Sequence, residues 1–282
     1  MARTLRAGTI DQQELQEALP PNVALGSKIH DGGQRKVYRA KREGVDVVLK
    51  VMPIDAVERA EREVSIGCTF DHPNLARILD DELSQLTVGE DDFVWFCEEY
   101  IDGEVLASRV GVYEPCEALD LASDLIEAVA YLWERHDVVH RDIKPLNIIR
   151  RSSGGYVLID VGIGRHQGDP SITSGALGPG TIGYLAAEQY IPNKGRMLDS
   201  RTDLFLIGIV VFQVLTDVLP FRPNDPDYYA KLLSGDWPRP QGLPAPISEL
   251  LERFLGRNPH QRPPIAQAAG MILGAKEELG CS

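Results

Sequence analysis

The sequence predicts an α+β protein in two parts, a small sheet-rich half followed by a larger, mainly helical half. Residues 23–100 break into short apolar runs separated by turn residues, the texture of strands and hairpins. After Gly103 the apolar residues recur at helical spacing over long stretches, which marks the boundary between the halves. With 282 residues and a hydrophobic fraction of 43%, the chain has material for one large domain or two modest ones.

Taken in order, residues 1–22 read as an N-terminal extension, an appended helix or loose arm. Ile10, Leu15 and Leu19 share a helical face before Pro20-Pro21 stops it, and an extension without a function of its own is the favoured reading. Strands follow at 27–30, 36–40 and 46–52, with turns at Gly32-Gly33 and Glu43-Gly44; 55–68 is an acidic helix and 93–100 another strand. In the second half, 114–136 is a helix with Ala118, Leu121, Leu125, Ala128, Val129 and Leu132 near one face. Residues 164–183, rich in Gly, Ser, Thr and Pro, read as a mobile segment. Residues 203–219 are apolar nearly all round, the pattern of a centrally buried helix, and helices at 247–255 and 265–279 complete the half.

The net charge of −13 and the low isoelectric point, about 4.9, argue against nucleic acid or a membrane surface as partner and favour a neutral or basic protein. Cys68, Cys97, Cys116 and Cys281 are scattered without metal-site spacing, so reduced thiols and a cytoplasmic location are expected. The N-terminus lacks an apolar signal core, and the apolar run 204–215 is too short to span a membrane.

The chemistry concentrates at Val138-Val139-His140-Arg141-Asp142-Ile143-Lys144-Pro145-Leu146-Asn147, followed by Asp160-Val161-Gly162. Two carboxylates, an ammonium and an amide on loops after apolar runs suit metal and phosphate, because phosphoryl transfer asks mainly for positioning and charge neutralisation. Residues 140–147 resemble the catalytic loop of eukaryotic-like (Hanks-type) protein kinases, and residues 160–162 resemble their metal-binding motif. Lys144, two residues after Asp142, is similar to the Ser/Thr kinases, and the whole resembles the bacterial branch. The resemblance implies a bilobal protein-kinase-like fold: a small antiparallel N-lobe with one regulatory helix at 23–101 and a larger helical C-lobe at 102–282, with the catalytic domain spanning 23–275. It implies ATP and Mg2+ as cofactors and a protein substrate with a Ser/Thr acceptor.

By that resemblance Asp142 is the base, Lys144 steadies the transferring phosphate, and Asn147 and Asp160 hold magnesium. Ile29, Gly32, Gly33 and Val37 belong to the phosphate-covering loop, in which only Gly32 falls on one of the family's three spaced glycines; His30 and Arg35 stand at the other two. Lys50 binds the α- and β-phosphates and pairs with Glu63, while Glu58 and Glu61 are solvated. The Glu99 carbonyl and Ile101 amide receive adenine between Val37, Val48 and Ile149. Arg141 anchors a phosphate placed on Ser171, Thr173 or Ser174. Glu188, in Gly180-Thr181-Ile182-Gly183-Tyr184-Leu185-Ala186-Ala187-Glu188, pairs with Arg262, and Asp203 braces the catalytic loop.

Three departures stand out. Glu98 sits at the back wall, where a carboxylate needs a partner or a raised pKa. Val161 replaces the usual Phe, and Gly67 replaces a larger helix residue, so the acidic helix is expected to dock loosely and to need phosphorylation or an activating partner protein. The sequence leaves two alternatives open: a pseudokinase acting as a nucleotide-sensing module, and a small-molecule phosphotransferase of related fold.

Overall fold

Alternation of side chains builds the first sheet. The computed structural model describes residues 10–32, 35–111, 113–161, 182–190 and 198–281. They form two units: residues through Asp71 with Ala76–Ile101, and His72–Leu75 with Asp102 onward. In the first unit β1 (Val23–Asp31), β2 (Lys36–Arg42), β3 (Val45–Pro53), β4 (Ser84–Val88) and β5 (Asp91–Glu99) make an antiparallel sheet in the order β1-β2-β3-β5-β4. Successive residues face opposite sides, and each side has its own helix.

On one side Leu49, Val51, Phe93 and Trp95 cluster with Ile10, Leu15 and Leu19, which lie in and beside α1 (Gln12–Ala18). Asp11 caps this helix by accepting from the amides of Gln13 and Glu14. Of the segment read as an appended helix or a loose arm, the described part forms that helix and joins the core, with Leu15 fully buried. On the other side α2 (Val57–Gly67) buries Ala60, Glu63, Val64 and Gly67, one helical stripe, and its Ala60 and Val64 pack with Met52, Val94 and Phe96. The expected weakness at Gly67 is corrected here: a Cβ there would lie 2.4 Å from Cδ1 of Ile78, so Ile78 already occupies the space a larger residue would fill.

The second unit is organised by α3 (Pro115–His136) and α5 (Ser200–Thr216). Pro115 opens α3 where no intrahelical donor is needed, and Asp137, with φ of 53°, ends it in the left-handed region. Helix α5 is buried nearly all round, as its apolar sequence requires, and Asp199 caps it by accepting from the Arg201 amide. Short helices α4 (Ala187–Tyr190) and α6 (Tyr228–Ser234) precede α7 (Ala245–Phe254) and α8 (Ile265–Leu279). A three-stranded sheet, β6 (Gly103–Val105), β7 (Ile148–Arg151) and β8 (Tyr156–Leu158), carries the loops of the site. Gly103 is required there, because a Cβ would lie 2.1 Å from the Arg150 carbonyl oxygen.

The cysteine expectation also needs correction. Cys116, at the start of α3, is disulfide-bonded to Cys281, just beyond α8, while Cys68 and Cys97 remain thiols. Spacing along a chain carries no information about this pairing, because the packing of α3 on α8 brings the two ends together. Among the described residues no helix is long and apolar enough to cross a membrane.

Candidate active site

The catalytic loop is held from three directions within the second unit. Asp203, in the first turn of α5 and fully buried, accepts from the amides of His140 (Oδ2, 2.7 Å) and Arg141 (Oδ1, 2.8 Å). Burial pushes its pKa up to about 7, against the opposing pull of the two N–H groups and the Arg141 guanidinium. Arg141 takes a left-handed backbone, φ 67°, a conformation that persists in a non-glycine residue only when its surroundings impose it. Gln189 supplies the second hold: its Nε2 donates to the Arg141 carbonyl at 3.0 Å, and its Oε1 accepts from the Ala186 amide at 2.8 Å. Third, the Asp142 amide donates to Nδ1 of buried His140 at 3.3 Å.

This frame aims a compact cluster. Nζ of Lys144 lies 3.0 Å from both carboxylate oxygens of Asp142. Nδ2 of Asn147 donates to the Asp142 carbonyl (2.8 Å) and to its Oδ2 (3.0 Å). Asp142 itself is only 8% exposed. The Asn147 carbonyl accepts from the amide of Ile159 at 2.9 Å, and the next residue, Asp160, is again left-handed at φ 59°. Asn74 steadies this strand end, accepting from the Leu158 amide (2.8 Å) and donating to the Tyr156 carbonyl (2.9 Å).

Glu188 and Arg262 meet as the resemblance implies. Nη1 and Nη2 of Arg262 reach the two Glu188 oxygens at 2.6 and 3.1 Å. The remaining donors go to the carbonyls of Gly256, Arg201 and Arg257, so all five N–H groups are used. Thr202 donates to Glu188 at 3.0 Å, and the guanidinium lies 4.4 Å from the centroid of the Phe205 ring.

In the first unit Val37, Val48 and Lys50 share one face of the sheet, because Val37 pairs with Lys50 across β2 and β3. Lys50 is 2% exposed and lies 3.6 Å from Glu63, an ion pair but a long one. Glu98 accepts a hydrogen bond from its ammonium, which supplies the partner a back-wall carboxylate requires. Glu63 accepts instead from Nη1 of Arg35 at 3.2 Å. Glu58 and Glu61 are exposed, as expected.

The remaining described candidates belong to both units. Ile29 is 52% exposed, and Gly32 closes its turn by donating to the Arg35 carbonyl at 3.1 Å. The Glu99 amide is committed to the Arg77 carbonyl at 2.8 Å. Ile101 is buried, and Ile149 is half-buried within β7. Gly33, Gly162, Ser171, Thr173, Ser174, Gly180 and Thr181 lie outside the described residues, as does most of the stretch read as mobile. Sequence reasoning overlooked Gln189 and Arg35. Arg35 had left a signal, since it stands where the family places a glycine; Gln189 left none.

This chain belongs to the protein kinase family: residues 23–271 match the model of the protein kinase domain. It is 31% identical to the serine/threonine-protein kinase pkn3 of Myxococcus xanthus, over 85% of this chain and 47% of that one. It is 27% identical to the serine/threonine-protein kinase PknB of Mycobacterium leprae, over 86% and 42% respectively. With the serine/threonine-protein kinase PrkC of Bacillus subtilis the identity is 31%, over 68% and 30%. The chain thus spans less than half the length of these relatives. Its sheet-based N-lobe and helical C-lobe are the bilobal kinase fold.

Proposed function

We propose that this chain transfers the γ-phosphoryl group of ATP to a serine or threonine hydroxyl of a protein, its own activation segment included. The observation that carries the reading is the nearly buried Asp142 carboxylate, gripped by Asn147 and Lys144 on a loop braced by Asp203. Asp142 orients the acceptor hydroxyl and takes its proton, and the Lys144 ammonium balances charge on the group in transit. Asn147 and Asp160 fit a magnesium ion: both amide protons of Asn147 go to Asp142, leaving a carbonyl oxygen that, with the Asp160 carboxylate, suits a hard cation. Such an ion, when bound, neutralises charge on the phosphate oxygens. Lys50 holds the α- and β-phosphates, with Ile29, Gly32, Gly33, Val37, Val48, Glu99, Ile101 and Ile149 as the remaining nucleotide contacts.

The acidic net charge favours a neutral or basic protein substrate and disfavours nucleic acid. A cytoplasmic setting, where ATP is supplied, is part of the same proposal. So is control by phosphate on Ser171, Thr173 or Ser174 held by Arg141, or by an activating partner protein.

The test is incubation with γ-labelled ATP, magnesium and a protein substrate, followed by mapping of the label. Asp142→Asn is expected to lose about 10²–10⁴-fold in transfer rate, with melting temperature and nucleotide affinity kept. An undiminished single-turnover rate would remove Asp142 from its role, and label confined to tyrosine or to a small molecule would reject the acceptor class.

A further inference from the structure

Lys50 pairs with Glu63 and with Glu98, which arrive from different kinds of element. Glu63 comes from α2, and Glu98 comes from β5, the strand paired directly to the strand of Lys50. Lys50 stands opposite Phe96 and Val48 opposite Glu98, so Lys50 and Glu98 lie on the same face one diagonal step apart. Long side chains bridge that step readily.

The backbone of Glu98 is fixed from both edges. Val48 pairs with it on one side and Ile78 forms an antiparallel bridge with it on the other. The neighbouring bonds, from the Leu79 amide to the Cys97 carbonyl (2.9 Å) and from the Glu99 amide to the Arg77 carbonyl (2.8 Å), extend that clamp. The Phe96 ring lies 5.5 Å beneath the ammonium. A carboxylate mounted this way keeps its place whether or not α2 shifts. Glu63, by contrast, depends on the placement of α2, and its Oε1 is shared: Arg35 lies 3.2 Å from it and Lys50 3.6 Å.

We propose that Glu98 is the positioning residue that holds Lys50 for the nucleotide phosphates, and that Glu63, engaged by Arg35, is the secondary partner. Side-chain exposures of 2% for Lys50, 7% for Glu63, 8% for Glu98 and 25% for Arg35 make such pairing necessary, because a buried charge without a partner is costly. The role assigned to Glu98 is exerted through Lys50, so the inference rests on Lys50 as the phosphate-binding residue.

The experiment measures kcat and KM for ATP in wild type, Glu98→Gln, Glu63→Gln and Lys50→Met, each with its melting temperature. Glu98→Gln is expected to raise KM for ATP at least tenfold and to lower kcat, and Glu63→Gln to lose at least threefold less in kcat/KM. A larger loss for Glu63→Gln, or a Glu98→Gln enzyme as active as wild type or more so, overturns the proposal. Where Glu98→Gln does not fold, Glu98→Asp and Glu63→Asp decide it: each keeps its charge but withdraws the carboxylate by one methylene, and only the former should raise KM. A Lys50→Met enzyme of wild-type activity would instead refute the role of Lys50, an outcome distinct from a failure at Glu98.

Discussion

Arg262 in the second unit and Lys50 in the first are both buried cations, with side chains 0% and 2% exposed. Arg262 spends five planar donors on one carboxylate and three backbone carbonyls, all at fixed angles. Lys50, a rotatable point charge, has Glu98 in contact and Glu63 farther off. A guanidinium saturated in this way works as a rivet, whereas an ammonium set among carboxylates from different elements can take on a phosphate without leaving a donor stranded. The two units thus hold their buried cations by different means.

The sharpest way to break that contrast is to remove the rivet. Arg262→Ala leaves Glu188 buried without its cation and is expected to destabilise the helical unit by about 3–5 kcal/mol. Chemical denaturation measures it, and a wild-type midpoint would show that the pair carries no structural weight. A second fixed point of the same unit is the Cys116–Cys281 disulfide, whose partners are 165 residues apart. Cys281→Ser is expected to cost about 2–4 kcal/mol in the same assay under non-reducing conditions. Equal stability of the variant and of the wild type with and without reductant would remove this staple from the account.

In the first unit the corresponding question is whether α2 docks on a void or on filled space. Because Ile78 occupies the position above Gly67, Gly67→Leu should overpack and destabilise by about 1–3 kcal/mol. A rise in melting temperature would restore the view that a side chain is missing there.

A slope of stability with pH is expected as well. The folded pKa of Asp203, about 7, lies above its ordinary 3.8, so the native state binds this proton more tightly than the unfolded chain does. The associated stability is fully present below about pH 4 and is lost as pH rises through 7. Between pH 5 and 8, wild type should therefore lose stability relative to Asp203→Asn. Parallel melting curves across that range would show that Asp203 does not titrate there.

Local pattern made much of the fold legible. Residues 265–279 were readable as a helix and form α8 with those limits, and the all-round apolar run at 203–219 corresponds to α5. Helix α5 starts earlier because Asp199 caps it, and it stops at left-handed Asp217. Strand β4 escaped notice because only Leu86 and Val88 of its five residues are buried, too few to stand out as an apolar run. Within the site, the grouping of Asp142, Lys144 and Asn147 is local and could be read directly. The Glu188–Arg262 and Asp203 contacts were accessible only through resemblance to a family. The exchange of partners around Lys50 was hidden because it follows from the β3–β5 register, which joins residues 48 positions apart.

Helix α1 gives the family boundary a different meaning. The match to the kinase domain begins at residue 23, yet Leu15 lies fully buried against the sheet and Ile10 and Leu19 join the same cluster. A domain trimmed to its recognisable signature would keep every residue of the candidate site and bare one apolar side of its sheet, including Phe93 and Trp95. Exposed apolar surface of that kind invites self-association. For this chain, the stretch that defines ancestry is therefore shorter than the stretch that defines solubility.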